Sequence, residues 1–213
     1  MPGPPEFASR LSAAISSTLP GESAQNLMSP WPVSGPPMGR VPLPEQYQEA
    51  AVLVLLYPHS STNDLWLTLI KRPDYDGVHA GQICLPGGRR ESAETLEQTA
   101  LRETHEEIGV DPGQVTLIGR LSPFYVPPSN HQVYPFVGYA MDRPQFQPCA
   151  TEVAELIEQP LAALLDPANR RQEVRDLKRW GRTQVPYFAM GTHKVWGATA
   201  MMLSEFVELA RGL

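Results

Sequence analysis

Apolar and polar positions change period several times along this chain, and each change marks an element. "AAVLVLLYP" (50–58) is a continuous apolar run of strand length, and "LWLTLIKR" (65–72) is a second strand with partial alternation. "QICLPGG" (82–88) reads as a short strand ending in a glycine turn, and "QVTLIGRL" (114–121) and "HQVYPFVGYAM" (131–141) return to strand. "EVAELIE" (152–158), "EVRDL" (173–177) and "VPYFAM" (185–190) add shorter ones. Helical spacing takes over in three places. "FASRLSAAISSTL" (7–19) repeats Phe7, Leu11, Ile15 and Leu19; 92–108 repeats Ala93, Leu96, Ala100, Leu101, Thr104 and Ile108; and "ATAMMLSEFVELARGL" (198–213) aligns Met202, Phe206, Leu209 and Leu213. "PLAALLD" (160–166) opens with proline at a favourable first helical position. Strands mixed with a few helices predict an α/β fold, a sandwich with helices on both sides of a sheet.

Proline sets the first boundary. Residues 1–49 hold ten of the 23 prolines and few charges, and "MSPWPVSGPPMGRVPLP" (28–44) is expected to lack regular structure. The chain therefore divides into an N-terminal extension with a short helix, 1–49, laid as an arm over a domain at 50–213. A net charge of −6 argues against nucleic acid or an anionic membrane as partner. No apolar run reaches membrane-spanning length, and the N-terminus lacks the basic-then-apolar layout of a signal peptide. Cys84 and Cys149 have no metal-binding spacing and read as ordinary buried thiols, which with the rest gives a cytoplasmic expectation.

The 92–108 helix carries the chemistry. Ser92 is placed to cap its start and Gly109 to stop it, yet Glu103, Glu106 and Glu107 crowd its last turns. Like charges at such spacings each cost about 0.2–0.5 kcal/mol, and the helix dipole adds roughly 0.3–1 kcal/mol per acid. A cation is expected against this strip. A solvated acidic face is the plainer account; the position at the helix end and the preceding "LPGG" turn favour a metal site. Carboxylates with a backbone carbonyl, and no histidine or thiol, suit Mg²⁺ or Mn²⁺ rather than zinc.

"GGRRESAETLEQTALRETHEEIGV" (87–110) resembles the Nudix box, G-x5-E-x7-R-E-U-x-E-E-x-G-U with U aliphatic. Gly88, Glu94, Arg102, Glu103, Glu106, Glu107, Gly109 and Val110 match, and Thr104 stands where an aliphatic residue is usual. The resemblance implies a Nudix-type α/β/α sandwich with a mixed sheet and metal-dependent hydrolysis of a diphosphate bond. It assigns metal ligation to Glu103, Glu106, Glu107 and the carbonyl at Gly87, and an orienting ion pair to Arg102 and Glu94. Glu106 is one candidate base; Glu152 and Glu155 are candidates outside the box.

Upstream, "LTLIKRPDYDGVHAGQICLPGG" is similar to a motif of the coenzyme A pyrophosphatase branch, matching at Leu69, Arg72, Gly81, Pro86, Gly87 and Gly88. Gly77 replaces an arginine of that motif. The likeness implies coenzyme A or an acyl derivative as the small-molecule substrate, with ADP-ribose or another nucleoside diphosphate derivative as the alternative. Arg72, His79 and Gln82 are the candidate substrate residues, and the basic stretch 169–182 is a further source of phosphate contacts. A Nudix-fold sensor that binds without cleaving is the competing class, disfavoured because every charged box position is kept. His105 is expected to be exposed, Trp180 and Trp196 to be packing residues, and the loop "YVPPSNH" (125–131) to wall the cleft. The pattern says nothing of oligomeric state.

Overall fold

The computed structural model describes residues 3–34, 41–74, 80–177 and 180–213. Its elements are α1 (Pro4–Ser17), α2 (Gly21–Asn26), β1 (Trp31–Pro32), β2 (Gln48–Pro58), β3 (Leu65–Lys71), β4 (Ile83–Cys84), β5 (Gly87–Arg89) and α3 (Leu96–Ile108). They continue with β6 (Val115–Arg120), β7 (Phe124–Val126), β8 (His131–Ala140), β9 (Glu155–Pro160), α4 (Leu161–Leu165), β10 (Arg170–Leu177), β11 (Gly181–Met190), β12 (His193–Trp196) and α5 (Gly197–Ala210).

β2 is the spine of an eight-stranded mixed sheet. It runs parallel to β8, and antiparallel β6 lies beyond β8. On its other side β2 is shared: its first half pairs with β5 and its second half with β3, which carries β4 and β9. Burial on both faces explains why β2 reads as a continuous apolar run rather than an alternating one. Ala51, Leu53, Leu55 and Tyr57 pack toward Ala100 and Ile108 of α3, while Val54 and Leu56 face the core holding Phe206 of α5 and Phe7 and Leu11 of α1. The expected α/β/α layering with a mixed sheet is present.

A second, antiparallel sheet of β10, β11, β12 and β1 escaped the strand patterns, because they locate strands but not their partners. β1 corrects the expectation that the proline-rich stretch lacks regular structure: Trp31 and Pro32 pair with Gln184 and Thr183 of β11. Proline is tolerated there because the strand lies at the sheet's edge.

The N-terminal helix spans Pro4–Ser17, so Leu19 falls beyond it, and Phe7, Leu11 and Ile15 are buried in the same core as α5. α5 is buried nearly all round, including Glu205, which is 0% exposed. That carboxylate accepts from Gly21 N (3.1 Å), Gln25 Nε2 (2.8 Å) and Ser122 Oγ (2.7 Å), joining α2 and the segment before β7 to α5. Trp180, expected to pack, is instead 40% exposed, at the tip of the β10–β11 hairpin before Gly181 (φ +63°). Trp196 is partly buried, with the Arg175 guanidinium 4.7 Å above its ring. No helix among the described residues is long and apolar enough to cross a membrane.

Candidate active site

The site forms where β5 lies against the start of β2 and α3 packs over both. Gly87 sits at φ +144°, and a Cβ there would run into Ala51 O and Val52 Cα, so the close β2–β5 approach requires glycine. At Gly88 a Cβ would overlap the Glu103 carboxylate. The two glycines therefore serve different contacts, one with the neighbouring strand and one with an acid of α3.

Thr95, not Ser92, caps α3, which corrects both the start of the helix and the place of Ala93 on its buried stripe. Thr95 Oγ1 accepts from Gln98 N at 3.3 Å, and Gln98 Oε1 accepts from Thr95 N at 2.8 Å, a reciprocal capping box. The later start leaves Glu94 outside the helix, where its carboxylate takes Glu91 N (2.8 Å), Thr99 Oγ1 (2.9 Å) and the side chain of Arg102. At the other end Gly109 stops the helix in the left-handed conformation (φ +74°). Thr104, the position that departs from the aliphatic pattern, is buried and returns its hydroxyl to Ala100 O at 2.7 Å.

Arg102 neutralises part of the acid strip, bonding Glu103 and Glu106 but not Glu107. Its Nε and Nη2 bond Glu94 Oε2 (2.9 Å) and Oε1 (2.8 Å), its Nη1 bonds Glu103 Oε1 (3.0 Å) and Glu106 Oε2 (2.8 Å), and Nη2 also reaches Arg89 O (3.1 Å). All five guanidinium N–H groups are thus in use. The Glu94 carboxyl is pulled down to about 2, chiefly by the bonds from Arg102. The ion pair expected between Arg102 and Glu94 is formed. Arg102→Lys keeps the charge and loses the fork, so turnover is expected to fall about 10–100-fold. Steady-state kcat measured beside a thermal melt checks this, since a general loss of fold would move both together.

The three acids are not equivalent. Glu107 is 3% exposed, and its Oε2 accepts from Gly87 N at 2.8 Å. Burial pushes its carboxyl up to about 7, helped by the charges of Glu103 and Glu152 and opposed by the Gly87 N–H and Arg72. Burial raises Glu103 too, against the pull of Arg102. Glu106 is exposed, with its carboxylate on Arg102. Among the described residues no three His, Cys, Asp or Glu side chains gather around one point. The donors flanking the diglycine are two carboxylates, Glu103 and Glu107, and the peptide carbonyl of Gly87. An all-oxygen set of this kind fits Mg²⁺ or Mn²⁺.

Arg72, a candidate for substrate, lies beside Glu107: its Nη2 is 3.5 Å from Gly87 O and 3.7 Å from Glu107 Oε1. Gln82 is beside it, its carbonyl accepting Arg72 N at 3.0 Å. His79 lies outside the described residues, as does Gly77. Of the two outside acids, Glu152 is the one whose charge is felt at Glu103 and Glu107. Glu155 is drawn away, with Oε1 3.1 Å from His193 Nε2. His105 is exposed as expected, with Nδ1 3.2 Å from Val110 O. The carbonyl of Arg89 and the hydroxyl of Thr99 join the cluster unforeseen, because backbone acceptors and neutral caps leave no charge pattern. A groove of about 630 Å³ between α1 and β6, lined by Ser9, Ser12, Ile118 and Met141 among others, has no ionised side chain to offer a diphosphate.

The site thus lies on a mixed α/β sheet between helical layers, with Glu94, Glu103 and Glu106 sharing Arg102 beside the diglycine strand. A NUDIX domain is matched over residues 46–181, and the chain belongs to that family. It is 34% identical over 178 residues to Nudix hydrolase 15, mitochondrial, of Arabidopsis thaliana, covering 78% of this chain and 60% of that protein. It is 36% identical over 164 residues to the human mitochondrial coenzyme A diphosphatase NUDT8, covering 75% and 68%. Among solved structures, a MutT/nudix family protein from Enterococcus faecalis aligns with a TM-score of 0.52 at 19% identity, covering 82% of this chain and 64% of that one, a likeness of fold.

Proposed function

We propose that this protein hydrolyses the diphosphate bond of coenzyme A or an acyl derivative, giving 3′,5′-ADP and (acyl-)4′-phosphopantetheine. The observation that carries the hydrolytic part is the saturated Arg102 hub, which holds Glu103 and Glu106 in place beside the Glu107–Gly87 bond. A sensor that only binds has no need of charges held so closely. The coenzyme A assignment is supported by the 69–88 motif and by the likeness to the human coenzyme A diphosphatase NUDT8.

A divalent cation bound at Glu103, Glu107 and the Gly87 carbonyl would neutralise diphosphate oxygens and lower the pKa of a bound water. The chain's own residues do the rest. Arg102 holds the carboxylates, and Arg72 would meet phosphate oxygen. The proton released by the attacking water has two acceptors at hand, Glu106 and Glu152. Glu106 already shares its carboxylate with Arg102, whereas Glu152 stands on the turn before β9, and its charge helps raise Glu107.

Incubation with Mg²⁺ and a panel of coenzyme A, acetyl-coenzyme A, ADP-ribose and NADH tests the assignment. We expect 3′,5′-ADP to appear from the first two faster than AMP from the others. Rapid cleavage of ADP-ribose with coenzyme A untouched would reassign the substrate to another nucleoside diphosphate derivative, in keeping with glycine at position 77. No cleavage across the panel would favour the sensor.

A further inference from the structure

We infer that β10 is a self-pairing edge: two copies of this chain join antiparallel along residues 171–177, about a two-fold axis at Val174, fusing their four-stranded sheets into one. The assignment does not depend on the reaction proposed above.

An unpaired strand edge offers a row of N–H and C=O groups to another chain, and folded proteins usually blunt it. Two edges here are blunted. β1 is two residues long, and one of them is Pro32. β6 breaks register between Leu117 and Gly119 and lies beside α1, with Ser12 Oγ donating to Ile118 O at 2.8 Å. β10 has neither device. It ends the second sheet on the side of β11 opposite β1, and among the described residues β11 is its only strand partner. It contains no proline or glycine and pairs all along its length with β11 without a bulge. Arg171, Gln172, Val174 and Asp176 are exposed, Val174 to 47%. This is the basic stretch whose sequence suggested phosphate contacts. As a strand it sets Arg171, Glu173 and Arg175 on one face, alternating in sign, and Gln172, Val174 and Asp176 on the other.

Residues directly opposite each other in an antiparallel pair share a face. A two-fold pair that keeps the sheet continuous therefore has its axis at one residue, which meets its own copy. With Val174 at the axis, the exposed valines meet on one face. On the other, Glu173 of each copy meets Arg175 of the second. Gln172 comes opposite Asp176, an amide donor against a carboxylate, and Arg171 opposite Leu177. The neighbouring registers fail. An axis at Glu173 sets that acid against itself and Arg171 against Arg175, and an axis at Arg175 sets two guanidiniums together. An axis at Gln172 leaves Asp176 and Leu177 beyond the pairing. Within one chain Arg175 Nε already donates to Glu173 Oε1 at 2.6 Å, and Lys194 reaches the other carboxylate oxygen. The second copy closes these pairs into a ring of alternating charge, and repulsion in the other registers selects this one.

Pairing over 171–177 makes a small interface, so the association is expected to be weak and to need high protein concentration. Sedimentation equilibrium of the full chain over roughly 5–500 µM tests it. The weight-average mass of wild type should rise with concentration from 23.5 kDa toward twice that value. Glu173→Lys and Arg175→Glu are each expected to weaken self-association about tenfold, because each sets like charges opposite one another. Mixed in equal amounts the two variants should associate as well as wild type, since the lysine of one then meets the glutamate of the other. A role in folding alone would not be rescued by mixing. Wild type that stays monomeric throughout, variants that self-associate like wild type, or a mixture no better than its components each overturn the inference.

Discussion

Glu107→Gln is expected to lower turnover by on the order of 10³-fold while making the metal-free protein more stable above pH 7. The amide keeps an oxygen to accept from Gly87 N, so the local bond survives, but it cannot supply the negative charge that holds a cation. The stability gain follows from burial. A carboxyl raised from the ordinary range to about 7 keeps its proton in the folded chain after the unfolded chain has lost it. Its contribution is complete below about pH 4.5 and disappears as pH rises through about 7, costing on the order of 3 kcal/mol across that window. Urea unfolding of wild type without metal should therefore show stability declining between those values. The decline should flatten in Glu107→Gln, and added Mn²⁺ should restore wild type alone. An unflattened decline would mean that another group sets it.

Glu205→Ala is expected to cost about 3–5 kcal/mol, the largest stability effect of any single change here. The wild-type carboxylate is fully buried and satisfied by backbone and side-chain donors from α2 and from Ser122. Truncation leaves those donors facing a cavity without an acceptor. Glu205→Gln retains one acceptor oxygen and should lose about 1–2 kcal/mol. Hydrogen exchange offers a sharper readout. In the glutamine variant the amides of α1 and α2 should exchange faster than those of β2 and β8, because the lost contacts join the N-terminal segment to α5. Uniform acceleration would show that residues 4–34 unfold only with the whole domain.

Much of this fold can be read from apolar spacing. β3, β8 and α3 follow from apolar periods that survive in the sequence, and β2 and α5 from apolar runs matching burial on nearly every side. The acid strip on α3 is legible for the opposite reason: it violates what helix electrostatics favours, and the violation points to a cation. What stays hidden is set by distant packing. Spacing predicts a helix at 7–19 but not that Phe7 and Leu11 enter the same core as Phe206. Ser92 and Thr95 are equally good caps in isolation. Thr95 takes the role once Glu94 leaves the helix for Arg102, a contact eight residues away. Glu205 is one of two acids in "MMLSEFVEL", indistinguishable locally from the less buried Glu208. Arg72 reads as a substrate ligand from its motif, and only the β3–β5 arrangement shows it lying on Glu107.

The central claim, a divalent cation held by α3 and the diglycine strand, is most directly tested by anomalous diffraction from a crystal grown with Mn²⁺. We predict a peak within coordination distance of Gly87 O, Glu103 and Glu107. No peak there at saturating Mn²⁺ would contradict it.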